Sequence, residues 1–373
     1  MKPQTIQFLS SAGTFGPAVI VPVILADEYG ASNGMIGLVA GSFAAASLLS
    51  TYMFGRASDV HGRRLILVIG LLASAFATLG QAFTILTDSL LLFTIVRVLL
   101  GFCAGTFPAA LLAYAYENKN KMGRFSSWGA AGWGIGSLSV GLFGTMYVAA
   151  HIYCAAILFI SYAVALKLTF APAGKMRVPL FPIALIRQNA PVYASVLIRH
   201  TGANMVWVTY PLFLISIGAN GLWVGLIYAV NAFAQFFIMK QLDRYDPARL
   251  VGFGIALSSV TFATYLFVDE YWKIIPSQIL LATSWASLYV GSLRYVMDKS
   301  REKATATGML SGTISIAGII GPLIGGVCAA AIGFGGTIAI ASVLSLVALV
   351  AFLYELNRSG EFYRLFAIRQ VRS

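Results

Sequence analysis

Apolar residues along this chain run in blocks of about twenty, separated by short knots of charge, glycine, asparagine and proline. Blocks of that length suit helices crossing about 30 Å of hydrocarbon, whereas spanning strands would alternate over about 10 residues. Reading from break to break gives twelve candidate spans, at 6–26, 33–54, 65–84, 89–115, 124–147, 150–170, 189–216, 221–240, 250–268, 272–296, 307–331 and 334–356. The expected fold class is an all-α integral membrane protein with twelve transmembrane helices.

The stretch "APAGKMRVPLFPIALIRQ" (171–188) sets three prolines among basic residues. It reads as a cytoplasmic linker between an N-terminal six-helix bundle (1–170) and a C-terminal one (189–356), with a basic cytoplasmic tail at 357–373. The bundles echo each other. "PVILADEYGASNGMIG" (22–37) resembles "PLFLISIGANGLWVG" (211–225), and "GIGSLSVGLFG" (134–144) faces "GIIGPLIGG" (318–326). Charged knots follow both second helices, "GRASDVHGRR" and "QLDRYDPAR". Internal repeats of this kind mark transporters whose binding site lies at the repeat interface near the midplane.

Composition agrees. The chain is 59% hydrophobic and 10% charged, with mean hydropathy +0.83, where a soluble domain carries roughly 25% charged residues. A net charge of +12 would suit a nucleic-acid partner only if it sat on a solvated domain. Here the basic residues fall between alternate spans, from Arg56 through Lys303, while the opposite loops hold Asp27, Glu28, Asp88, Asp269 and Glu270 with Lys273. That bias places both termini in the cytoplasm of a multi-pass protein of the cell membrane. Anionic membrane lipid then accounts for the charge, and no nucleic acid is expected.

The first apolar run lacks a small-residue cleavage site and is expected to be retained. Cys103, Cys154 and Cys328 lie inside apolar runs and read as small buried hydrophobes. Scattered His and Cys supply no catalytic constellation, so neither an enzyme nor a cofactor nor a metal is expected.

The knot "FGRASDVHGRRLILVIG" (54–70) lies between the second and third spans. It resembles the G-x-L-x-D-R-x-G-R-[RK]-x-x-L motif of the major facilitator superfamily, through Gly55, Asp59, Gly62, Arg63, Arg64 and Leu67; Ala57 and Val60 depart from it. The resemblance implies a gating loop that stabilises the outward-open state against the other bundle. Gly55 would allow close helix approach, Gly62 a tight reversal, and Asp59 would accept hydrogen bonds from a facing helix N-terminus or from Arg63 and Arg64. "RVLLGFCAG" resembles the family's R-x-x-x-G-x-x-x-G element through Arg97, Gly101 and Gly105. Many proton-driven exporters of the family carry G-P-x-x-G-G in the fifth helix; here Ser139-Val140 stands there, and "GPLIGG" (321–326) occupies the eleventh instead.

Ionisable residues inside the membrane are functional candidates because burying them is costly. Arg97 lies nine residues past Asp88 and Arg199 twelve past Arg187, about 13 and 18 Å into the slab at 1.5 Å per residue. Arg294, four residues from Asp298, should snorkel to the interface. No carboxylate lies comparably deep, so the two guanidiniums want an anion, which they could hold bidentately. Arg97 also fits a structural role, bonded to helix carbonyls. Around them, His200, Asn204 and Trp207 share a helix face, as do Tyr228, Asn231 and Gln235, and as do Trp285 and Tyr289. His200 is the deep histidine, suited to carry a proton or to bond between helices.

These residues point to a monomeric secondary transporter of a small organic anion, working by alternating access and coupled to a proton or a counter-anion. The alternative is a proton-driven multidrug or metabolite exporter.

Overall fold

In the computed structural model, the structure describes residues 2–118, 120–169, 183–300 and 303–365, apart from the side chains at 56, 59–61, 303–305 and 364. Residues 171–182 of the linker, the tail beyond 365, and the side chains of Asp59 and His61 lie outside the described residues.

The helices are α1 (Pro3–Phe15), α2 (Val21–Asp27), α3 (Asn33–His61), α4 (Arg63–Ile85), α5 (Leu90–Thr106), α6 (Pro108–Glu117), α7 (Met122–Leu142) and α8 (Tyr147–Ala165). The last residues of the linker form α9 (Ile183–Gln188), and α10 (Ala190–Trp207), α11 (Tyr210–Ser216), α12 (Gly221–Met239), α13 (Pro247–Tyr265), α14 (Ile275–Lys299) and α15 (Lys303–Arg358) follow. No strand occurs among the described residues. Every candidate span falls on a helical run, and nine stretches of the described residues are both long and apolar enough to cross a membrane. The glycine-rich α7 and the charged α10 are not among those nine, and α15 counts as one. Within α15 the chain turns on Gly333, whose φ of 74° is a left-handed conformation that favours glycine.

Three intervals read as continuous spans are broken helices. The 6–26 run divides between α1 and α2 around Pro17 and Pro22, the 89–115 run between α5 and α6 at Pro108, and the 189–216 run between α10 and α11 at Pro211. Proline lacks the N–H of the helical ladder and crowds the carbonyl four residues back, so each starts a new helix instead of continuing the old one. Where polar connections follow, side chains cap the restart: Ser32, Ser89 and Asn220 accept from the backbone N–H of Met35, Leu92 and Trp223.

Two bundles pack by matching pairs. In the first, α7 lies on α1, with Gly132 and Gly136 against the Phe8 and Ala12 carbonyls. In the second, α15 lies on α10, with Gly321 and Gly325 against the Thr201 and Met205 carbonyls. Gly136, Gly321 and Gly325 belong to the glycine runs that echo in sequence, and small residues let helix backbones meet without side chains between them. The bundles join along two seams, α3 with α15 and α7 with α12.

The seams differ in shape. α7 and α12 stay close along their length, from Gly123 beside the Met239 carbonyl, through Gly134 on Ala232, to Gly141 on Gly225. α3 and α15 are tight at the end away from the termini, where Gly37 meets the Pro322 carbonyl and Gly326 the Asn33 carbonyl. Toward the termini they part. A Cβ would lie 3.1 Å from its neighbour at Gly41, 3.4 Å at Gly318 and 3.8 Å at Gly312, and would meet nothing within 4 Å at Gly308.

Candidate functional site

The breaks between α1 and α2, α5 and α6, and α10 and α11 leave helix ends inside the spans, as in the discontinuous helices of transporter sites. Aromatic side chains dominate what gathers there. The His200 ring stacks on Trp285 at 4.8 Å, and Trp285 stacks on Tyr289 at 5.4 Å. Trp285 and Tyr289, on α14, pack on a cluster that includes Ala130 of α7 and so meet the opposite bundle. A second group forms around Tyr228, 5.9 Å from Trp207, 5.6 Å from Tyr210, and 5.8 Å from Trp133 on α7. His200, Trp207, Trp285 and Tyr289 are half-buried.

Arg199 is 1% exposed, deeper than its neighbours. Its Nε donates to Ser258 Oγ at 2.7 Å and its Nη2 reaches Ser284 Oγ at 3.4 Å, so α10 is tied to α13 and α14. The guanidinium also lies 5.5 Å from the Trp285 ring centre and 5.7 Å from that of Phe262. The two serines are 2.6 Å apart, and each is within reach of the Gly254 carbonyl. Arg199 thus spends bonds on the protein and braces the aromatic wall from behind.

Arg97 stands apart in the first bundle. Its guanidinium is 4.4 Å over the Phe43 ring, and its buried Nε has no partner among the described residues. His151 Nδ1 donates to the Tyr147 carbonyl, 2.9 Å away, and its buried Nε2 has no partner among the described residues.

Asn204 donates to the His200 carbonyl of its own helix at 2.9 Å, with Gly321 packed on its Cβ. Asn231 and Gln235 are buried and joined: Gln235 Nε2 donates to Asn231 Oδ1 at 2.6 Å, and Asn231 Nδ2 to the Gln278 carbonyl at 3.1 Å. Gln278 in turn donates to the hydroxyls of Tyr210 and Tyr265. This network ties α12, α11, α13 and α14 together, and a buried polar network holds only when its members are satisfied.

Ser258, Ser284, Gln278, Tyr210, Tyr265 and Trp133 did not stand out in the sequence. Pro211, next to Tyr210, was the available signal. The serines carried none, because a hydroxyl in an apolar helix bonds its own backbone as readily as a neighbour.

In the first charged knot, Gly62 adopts φ 100° between α3 and α4, and Gly55 faces Ala109 on α6, a Cβ there lying 3.6 Å away. Arg63 pairs with Glu117 at 2.6 Å, and Arg64 Nη2 donates to the Leu166 carbonyl at 3.3 Å. Both arginines therefore tie helix ends within the first bundle. The second knot reaches across. Asp243 Oδ2 is buried with no partner among the described residues and lies 2.9 Å from where Gly123 would carry a Cβ. That is the first turn of α7, a helix that begins without a side-chain cap of its own.

Arg294 Nη1 donates to the Leu242 and Tyr245 carbonyls of the α12–α13 connection at 3.0 and 2.9 Å. Every described carboxylate sits at a helix end or in a connection, and no cluster of His, Cys, Asp or Glu among the described residues could hold a metal ion.

Comparison with known proteins gives one consistent result. The model of the Major Facilitator Superfamily matches residues 5–187 and 192–362. An uncharacterised MFS-type transporter of Bacillus subtilis, YqjV, is 25% identical over 88% of this chain and 85% of its own. The class B tetracycline resistance protein of Escherichia coli is 24% identical over 83% of this chain and 84% of its own. A crystal structure of a variant of the nucleoside transporter NupG superposes with TM-score 0.76 at 16% identity, covering 95% of this chain and 98% of that one.

Proposed function

Because the chain belongs to the major facilitator superfamily, a family of membrane transporters, we propose that it exports a small organic solute carrying a flat ring, by alternating access between its two bundles. The observation that carries this reading is the stacked set of His200, Trp285 and Tyr289, together with the second aromatic group in which Tyr228 meets Trp207 and, across the α7–α12 seam, Trp133. Such faces hold ring systems by stacking and offset contact. Outward transport is supported by a sugar efflux transporter of Escherichia coli, 30% identical over 39% of this chain and 40% of its own. On this reading the protein is a monomer of the cell membrane with both termini cytoplasmic, and the charged knots, Asp59 included, act on the balance of states. His200, whose buried Nδ1 has no partner among the described residues, carries the coupled proton.

A second reading, transport of a small organic anion, rests on Arg97, whose unpartnered Nε would donate to a carboxylate. Arg199 supports it less, since its guanidinium is already bonded to Ser258.

The test uses purified protein in proteoliposomes, screened with neutral ring-bearing, cationic and anionic solutes for stabilisation and then for transport. Trp285→Ala should weaken binding of a ring-bearing hit at least tenfold with the protein still folded, and Trp285→Phe should recover most of it. Hits confined to non-aromatic anions, abolished by Arg97→Gln and indifferent to Trp285→Ala, would overturn the first reading in favour of the second.

A further inference from the structure

One cavity lies on the flank of a single bundle, away from the seams. It is a cleft of about 670 Å³ on the flank of the second bundle, where α12, α13 and α14 diverge near the end that holds the termini. A volume in this range suits a small amphiphile. Its mouth carries Arg244 and Arg249, and its walls carry Leu250 and Phe253, with the hydroxyls of Thr283 and Ser287 along the floor. Phe253 is 53% exposed, and the same outer surface continues through Val260 on α13 and Phe237 on α12, both also exposed. The cleft therefore opens sideways onto the apolar belt and not into the path between the bundles.

Depth is graded. Arg294 pins the α12–α13 connection through the Leu242 and Tyr245 carbonyls and so marks the level of the mouth on α14. Ser287 and Thr283 precede it by seven and eleven residues, about 10 and 16 Å farther into the slab. Charge is graded with it. Arg244 is exposed, lies 5.0 Å over the Tyr245 ring and donates to Gln241 Oε1 at 3.4 Å. The acid at the mouth, Asp246, is turned to its own backbone, where Oδ1 accepts from the N–H of Ala248 and Arg249 at the start of α13. With two arginines and one capping carboxylate, the residues lining the mouth carry a positive balance.

We propose that this cleft binds an anionic glycerophospholipid from the leaflet beside the termini, its phosphate on Arg244 and Arg249 and one acyl chain along Leu250 and Phe253. A cationic mouth leading to an apolar slot open to the bilayer matches that chemistry, as basic pockets between helices do for anionic head groups. A free phosphate or an acidic peptide would use the mouth alone and leave the slot without an occupant.

Full-length protein in nanodiscs of phosphatidylcholine, titrated with phosphatidylglycerol, gives the test, with retained lipid counted by native mass spectrometry. Wild type should keep phosphatidylglycerol in preference to phosphatidylcholine. Arg244→Gln should lower that preference about fivefold, the equivalent of ~1 kcal/mol per basic residue at a membrane surface, and Arg244→Gln with Arg249→Gln by more. Thr283→Phe, which fills the slot without changing charge, should lower retention of both lipids while the protein still inserts. Arg187→Gln, an exposed basic residue at the same end but outside the cleft, should change nothing. An equal loss in Arg187→Gln would reduce the effect to general surface charge and overturn the site. Full displacement of the lipid by glycerol phosphate, or retention unchanged in Thr283→Phe, would overturn the lipid as occupant.

Discussion

Adjacent glycines on α15 should have opposite consequences. Gly325 packs inside the second bundle, on the Met205 carbonyl, while Gly326 packs across the seam, on the Asn33 carbonyl of α3. In both, an added Cβ would fall closer to a backbone oxygen than real Cβ atoms come, so the helices must part. Overpacking of this kind costs about 1–3 kcal/mol. On the proposed alternating access each bundle moves as a unit, which keeps α10 and α15 packed, so for Gly325→Ala the cost falls on every conformation. Melting should drop and the balance of states should not move. For Gly326→Ala the cost falls only on the state in which α3 and α15 touch at the end away from the termini. A penalty of 1–3 kcal/mol on one state shifts the equilibrium about 5- to 150-fold. Spin labels at Met35 and Ile332, in protein with Cys103, Cys154 and Cys328 replaced, would report it by pulsed EPR. Gly326→Ala should move the distance distribution to longer values with little change in melting, and Gly37→Ala, facing the Pro322 carbonyl, should do the same. An unchanged distribution with lower melting in Gly326→Ala would refute the assignment of this contact to a seam that opens.

Asp243→Asn keeps shape but removes the charge at the first turn of α7, so the α7–α12 contact near the termini should weaken by about 0.3–1 kcal/mol; faster labelling of a cysteine at Ser126 is the readout. Arg199→Gln should lower thermal stability by roughly 1–3 kcal/mol through its lost hydroxyl bonds, with Ser258→Ala giving a smaller loss. Normal stability in Arg199→Gln with abolished solute binding would return that arginine to the site. Arg63→Gln should cost little, roughly 0–1 kcal/mol, since Glu117 is half exposed, as a melting curve would show. Reporter fusions at 175 and 358 should give cytoplasmic signals and one at 219 an external signal, and a reversed pattern would overturn the orientation.

Much of the fold was legible in the chain because the bilayer imposes a length and forbids unpaired backbone inside it. Blocks of twenty apolar residues can hardly be anything but spans, and the repeat of glycine runs at 134–144 and 318–326 marks helices that must approach another backbone. The helix breaks at Pro108 and Pro211 were also written there, since proline acts through its own covalent structure, though the runs around them read as continuous. What a buried polar side chain does was not legible. Arg199 is deep by its position in the sequence, but its partners Ser258 and Ser284 lie 59 and 85 residues away and were silent as serines. Depth measures the cost of burying a charge, while the bonds that offset it depend on which helices become neighbours. The same holds for the two charged knots. Their composition is alike, yet the described side chains of the first tie its own bundle and Asp243 of the second faces the other. Local pattern follows from periodicity and covalent geometry, whereas pairing between residues far apart in the chain is decided only when the helices pack.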